Sequence, residues 1–146
     1  MNRVGRARRQ EQRQVTPCEV AVSCEATPEQ LGSVHEALTQ FWAGIVPTPP
    51  EDWRMMFDLA VSEVAANIVE HAQPPMMSLR LSATAGKVVA EFTDGGRGWT
   101  GPPSPSRLVD ELSERGRGLA LARTAVDEVV YEREGTVNRW RLIKWL

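Results

Sequence analysis

Cysteine is almost missing from this chain of 146 residues: Cys18 and Cys24 are its whole complement. Six residues along one strand set their Cα atoms ~20 Å apart, beyond the reach of a disulfide. They fall at alternating apolar positions, which predicts free thiols on the inward side of a strand. There is no CxxC and no Cys/His cluster, which argues against a zinc site. Long apolar runs are missing too. None approaches the ~18 residues needed to cross a bilayer, so no membrane span is expected. The opening MNRVGRARRQEQRQ has no apolar centre of the kind a secretory signal requires, and a cytoplasmic location is the expectation. Lysine occurs only at Lys87 and Lys144, and no internal repeat is present.

What remains is ordinary for a soluble globular protein: 42% apolar and 25% charged residues, in a length that suits one domain with a real core. Charge is uneven. Residues 1–14 hold Arg3, Arg6, Arg8, Arg9 and Arg13 against Glu11 alone, while the whole chain has a net charge of −2. Residues 1–16 therefore read as a basic, disordered arm and 17–146 as the folded domain. Such an arm is either a solvated terminus or a nucleic-acid contact. The acidic body argues against a nucleic-acid surface, and none is expected.

Cys18, Val20, Val22 and Cys24 alternate with polar or small residues, as a half-buried strand does. The sequence 27-TPEQ-30 offers a Thr N-cap and a Pro at the first helical position. Leu31, Val34, Leu38, Phe41 and Trp42 continue at helical spacing toward Gly44. After the loop 45-IVPTPP-50, a second helix is predicted from about Glu51 to about Ala72, burying Met56, Ala60 and Val64 and stopped by Pro74 and Pro75. Met77, Leu79, Leu81 and Ala83 then alternate as a strand, Ala85-Gly86 turns the chain, and Val88, Ala90 and Phe92 mark the returning strand. Residues 100–115, with Gly101, Pro102, Pro103 and Pro105, form a long polar loop of the kind that serves as a lid. A third helix is predicted from near Gly118, followed by strands at about 129–134 and 137–145 around Gly135. The order β-α-α-β-β-loop-α-β-β predicts an α+β two-layer sandwich, with a mixed, mostly antiparallel sheet and helices on one face.

Three polar elements stand out. In 63-EVAANIVEH-71, Glu63, Asn67 and His71 are spaced i, i+4, i+8 and share one stripe of the second helix. The stripe is either a solvated face or one wall of a site. In 94-DGGRGW-99 a carboxylate at a strand end is followed by three glycines in four positions, a pattern that marks a turn, a hinge or a close ligand. In 116-GRGL-119 glycines open a helix, where backbone N–H groups attract anions.

Taken in this order, the three elements resemble the GHKL ATP-binding family of histidine kinases, Hsp90-type chaperones and type II topoisomerases. Within it they look most like the small bacterial anti-sigma-factor serine kinases, with the likeness running from about residue 17 to the end. Glu63, Asn67 and His71 match E-x-x-x-N-x-x-x-H. Asp94, Gly96 and Gly98 match D-x-G-x-G. Gly116, Gly118 and Leu119 match G-x-G-L, and Gly135-Thr136 match a terminal G-T. The lid is shorter and richer in proline than is usual there, and Trp99 replaces a smaller aromatic.

The resemblance implies that ATP and Mg²⁺ are bound. Asp94 would accept a hydrogen bond from the adenine amino group, and Thr136 would add a second adenine contact. Asn67 would hold Mg²⁺, and Glu63 would be the general base for a serine or threonine hydroxyl. His71, Arg115 and Arg117 would lie near the phosphates. The implied function is an ATP-dependent serine/threonine protein kinase that acts as an anti-sigma factor by partner switching. Its expected partners are a STAS-type anti-sigma-factor antagonist, a sigma factor or other regulator, and a second copy in a homodimer. The alternative is a nucleotide-binding interaction module, or a phosphatase activator, with little kinase activity.

Overall fold

A computed structural model describes residues 17–71, 76–96 and 114–146, without side-chain detail for His71 and residues 114–119. The N-terminal arm, Gly98 and the greater part of the expected lid lie outside the described residues. The elements are β1 (Cys18–Glu25), a 3-10 turn (Pro28–Gln30), α1 (Leu31–Ala43), α2 (Glu51–His71), β2 (Met76–Thr84), β3 (Lys87–Asp94), α3 (Glu114–Ala125), β4 (Glu128–Glu134) and β5 (Val137–Trp145). The expected order holds element by element.

The strands form one sheet in the order β1-β2-β3-β5-β4. Every pairing is antiparallel, so the sheet is not mixed. Connectivity gives the reason. Two helices between β1 and β2 carry the chain away and back, so β2 arrives antiparallel. The β3-α3-β4 passage alone would set two strands parallel, but the return of the chain inserts β5 between them. Both tight turns use left-handed backbone: Ala85 and Gly86 have φ of 32° and 86°, and Gly135 has φ of 60°. In the first turn, positive φ at both centre positions suits the twist of a two-residue hairpin.

Strand register stacks the inward residues in rows. Val20, Leu81, Ala90, Leu142 and Val129 make one row, and Val22, Leu79, Phe92, Trp140 and Tyr131 the next. Leu81, Ala90, Phe92 and Leu142 have no exposed surface. At roughly 1.5–3 kcal/mol for each large apolar side chain, these rows supply much of the folding free energy. The outward face is charged: Glu91 lies 3.8 Å from both Arg139 and Arg141, and Arg80 lies 3.4 Å from Glu19. Ion pairs this open contribute little stability.

Helix α1 buries Val34, Ala37, Leu38, Phe41 and Trp42, the spacing of a single helical face. Its leading Thr27 makes no side-chain cap bond. Helix α2 buries Phe57, Ala60, Val61, Val64, Ala65 and Ile68, whereas Met56, expected inside, is 41% exposed. That position lies off the face centred on Val61 and Val64, and the larger Phe57 takes the inward place. Trp42, Trp53 and Phe57 join the two helices edge to face and by stacking. The Trp42 indole donates to Asp58 Oδ1 at 2.8 Å. Burial pushes the Asp58 carboxyl up, against the opposing pull of that N–H, of Arg54 and of His35. Cys18 and Cys24 are free and half-buried on β1, and burial raises the Cys24 thiol.

Candidate functional site

The row at the end of the inward sheet face departs from its apolar neighbours. Cys24, Met77, Asp94, Asn138 and Arg133 stand side by side across the five strands. Asp94 is the last residue of β3 and only 7% exposed. A buried carboxylate is tolerated only when donors satisfy it. Here the Gly96 backbone N–H donates to Asp94 Oδ1 at 2.8 Å and the Asn138 amide donates to the same oxygen at 3.0 Å. The first bond curls the chain back on its own side chain two residues on, the local turn that Asp favours. Oδ2 takes no hydrogen bond among the described residues. One carboxylate oxygen is anchored, and the other remains an acceptor.

Asn138 is 2% exposed. Its Nδ2 also donates to the Gly96 carbonyl at 3.0 Å, and its Oδ1 accepts from Tyr131 Oη at 2.6 Å and Arg133 Nη1 at 2.8 Å. Arg133 Nη1 further donates to the Gly96 carbonyl at 3.0 Å. Sequence reasoning missed all three of these residues. The available signal was Asn138 itself, a polar residue in phase with the inward Trp140 and Leu142.

Thr136 is exposed in the β4–β5 turn, and the residue opposite Asp94 is Asn138, two positions later. The structure thus brings Asn138, and not Thr136, to the Asp94 carboxylate. The reason is the two-residue turn at Gly135 and Thr136, which places the strand start after the threonine.

Glu63 and Asn67 are half-buried on successive turns of α2, at the margin of its packed face. His71 is the last residue of that helix. Helix α2 packs across β3 and β5, the strands that carry Asp94 and Asn138, and α3 packs on α2 and touches β4. Arg115, Gly116, Arg117, Gly118 and Leu119 all lie within α3, which begins at Glu114 and not near Gly118. An acidic first residue suits a helix start. Gly116 therefore belongs to the first turn, whose N–H groups have no intrahelical partner, and Gly118 follows in the next turn. Lys144 donates to the Ala125 carbonyl at 3.0 Å, fastening the other end of α3 to β5.

Among the described residues no three His, Cys, Asp or Glu side chains converge to hold a metal. A Mg²⁺ ion bound through one amide oxygen, with phosphates and waters completing its shell, needs no such cage. Half-buried Asn67 suits that arrangement. Among the described residues no helix is long and apolar enough to cross a membrane.

The histidine kinase-like ATPase domain family matches residues 24–144. A relative, the serine-protein kinase RsbW of Bacillus subtilis, is 30% identical over 124 residues, covering 75% of each chain. Among solved structures, the RsbU and RsbW domains of Rv1364c from Mycobacterium tuberculosis superimpose with a TM-score of 0.66 at 19% identity. That match covers 88% of this chain and 32% of the other. A histidine kinase domain from Erythrobacter litoralis EL346 superimposes at 0.53 with 21% identity, over 84% of this chain and 65% of its own. An antiparallel sheet with a carboxylate at the end of its third strand, helices on one face, and a family match across nearly all the described residues agree: the chain belongs to the histidine kinase-like ATPase domain family and, within it, resembles the serine-protein kinases RsbW.

Proposed function

We propose that this protein is an ATP-dependent serine/threonine protein kinase that also acts as an anti-sigma factor, with a STAS-type anti-sigma-factor antagonist as its substrate. The observation that carries the reading is the half-anchored, buried Asp94 beside a helix bearing Glu63 and Asn67 one turn apart. A fixed acceptor suits recognition of the adenine amino group, because an oxygen covered by a bound base is satisfied only by a donor. Bound ATP supplies the phosphoryl group that is transferred. Asn67 would hold Mg²⁺ through its amide oxygen. Gly116, in the first turn of α3, would offer its N–H to the phosphates, with Gly118 and Leu119 beside them. Arg115 and Arg117 would stabilise charge there, and His71 would lie nearby. Glu63 would take the proton from the hydroxyl of the target serine or threonine as its oxygen bonds to the γ-phosphorus and the bond to ADP breaks.

The relatives named serine-protein kinase support this choice over a histidine kinase. Phosphorylating the antagonist would lower its affinity for the kinase and leave the kinase available to the sigma factor, an exchange that runs on differential affinity. The kinase would work as a cytoplasmic homodimer. The test is transfer of labelled phosphate from Mg-ATP to a purified cognate antagonist, comparing wild type with Glu63→Gln. Transfer by the wild type that falls by about a hundredfold or more in the variant, with ATP still bound, is expected for a general base. ATP binding without transfer by the wild type would instead make the protein a nucleotide-binding interaction module.

A further inference from the structure

The Asn138 side chain has every hydrogen-bonding capacity in use. Both amide hydrogens go to acceptors, Asp94 Oδ1 and the Gly96 carbonyl, and the amide oxygen accepts from Tyr131 and Arg133. The orientation of the amide is therefore fixed by chemistry. A flipped amide would point its NH₂ at a guanidinium and its oxygen at a carboxylate and a carbonyl. We propose that Asn138 is a positioning residue of the nucleotide site, which holds the Asp94 carboxylate so that Oδ2 alone meets the base and thereby selects a base carrying an amino group over one carrying a carbonyl at the same place. This inference rests on the reading of the protein as an ATP-binding kinase and deepens it.

A carboxylate left to itself turns about its terminal bond and offers either oxygen, or a water, to an incoming base. Two donors on Oδ1 remove that freedom. One donor is local and the other distant: Gly96 lies two residues after Asp94, while Asn138 reaches it from β5. Tyr131 and Arg133 on β4 brace the amide from behind, so three neighbouring strands fix one oxygen. An acceptor so held attracts an amino group and repels a carbonyl, and the penalty for the wrong base is that of a buried polar group left unpaired.

The experiment is equilibrium binding of Mg-ATP and Mg-ITP to wild type, Asn138→Leu, Asn138→Asp and Tyr131→Phe, with thermal melting of each protein. Inosine carries a carbonyl where adenine carries its amino group. Wild type is expected to prefer ATP strongly. Asn138→Leu, similar in size and without hydrogen bonds, is expected to lose about tenfold or more in ATP affinity while ITP affinity changes little, so the ratio contracts. Asn138→Asp sets a second carboxyl against Asp94, with Arg133 and Tyr131 facing it from β4. Its ATP affinity, relative to wild type at the same pH, should rise on acidification as the pair takes up a shared proton. Tyr131→Phe should contract the ratio by a smaller factor.

A loss of thermal stability alone would not move the ratio of two ligands, so the ratio separates positioning from scaffolding. If Asn138→Leu does not fold, the pH profile of Asn138→Asp and the ratio in Tyr131→Phe decide. An unchanged ratio in the folded variants overturns the inference and leaves the kinase reading standing. Failure of the wild type to bind ATP overturns both.

Discussion

The Trp42 indole and the Asp58 carboxylate meet at 2.8 Å, an N–H donor on α1 bonded to an acceptor on α2. The bond closes one side of the aromatic cluster of Trp42, Trp53 and Phe57. The burial of Asp58 also sets a pH dependence. Burial holds the Asp58 carboxyl above its ordinary range, so the folded chain keeps this proton after the unfolded chain has released it. Stability from this group is then greatest in acid, falls as pH rises through the raised folded value, and levels off above it. Asp58→Asn retains an acceptor for Trp42 and removes the titration. The stability of wild type relative to this variant should decline from about pH 4 toward neutrality, read from urea midpoints. Parallel curves for the two proteins would refute the assignment.

Gly44 ends α1 beside β1. A Cβ added there would stand 2.8 Å from Cys18 Sγ, closer than packed atoms allow. Gly44→Ala should destabilise by about 1–3 kcal/mol. Adding Cys18→Ala should recover much of that loss, and a double-mutant cycle on denaturant unfolding should show coupling of about 1 kcal/mol between the sites.

Lys144 does two things at once. It donates to the last residue of α3 and lies 5.3 Å above the Trp53 ring. Lys144→Met keeps the aliphatic stem and removes the charge. Since a cation at a helix C-terminus and a cation over an indole are each modest, the expected cost is about 1–2 kcal/mol in urea unfolding.

Asp94→Asn tests the acceptor directly. The amide cannot satisfy Gly96 N–H, the Asn138 amide and an adenine amino group together, because one of its two ends is now a donor. Mg-ATP affinity should fall by about a hundredfold or more in a titration followed by tryptophan fluorescence. Retained affinity would remove Asp94 from the site.

Most of the fold was legible because the strands alternate and α1 repeats its apolar residues on one face. Met77 to Ala83 could be read as half-buried without knowing what covered them, and the Ala85-Gly86 turn gave the hairpin. Helix α2 was harder. It is buried on one side and flanked by a half-polar margin, so periodicity alone assigned Met56 the inward place that Phe57 holds. The site was half legible. Asp94 could be named because glycines follow it, and Glu63 and Asn67 because they share a stripe. The Asn138 network could not, because the two groups that tie it to the site, Asp94 and Gly96, lie 44 and 42 positions away. The phase of Asn138 with Trp140 and Leu142 marks it as inward, but nothing local says what it bonds until register pairs it with Asp94. The start of α3 was set too late because glycine reads as a helix boundary, and the preceding Glu114 carries the better start signal.

The two hairpins, β2–β3 and β4–β5, each pair strands that are neighbours in sequence, and their joining along β3–β5 pairs strands that are not. Local pairs close early and cheaply in chain entropy, and distant ones close late. Asp94 ends one hairpin, and Asn138 lies on the inner strand of the other. The acceptor held by both therefore exists only in chains whose seam has formed. A ligand that needs this acceptor stabilises the seam by mass action. Its binding would thus slow the parting of the two halves more than the fraying of either hairpin, and hydrogen exchange along Phe92 to Asp94 and Asn138 to Trp140 would register the nucleotide before any other part of the sheet does.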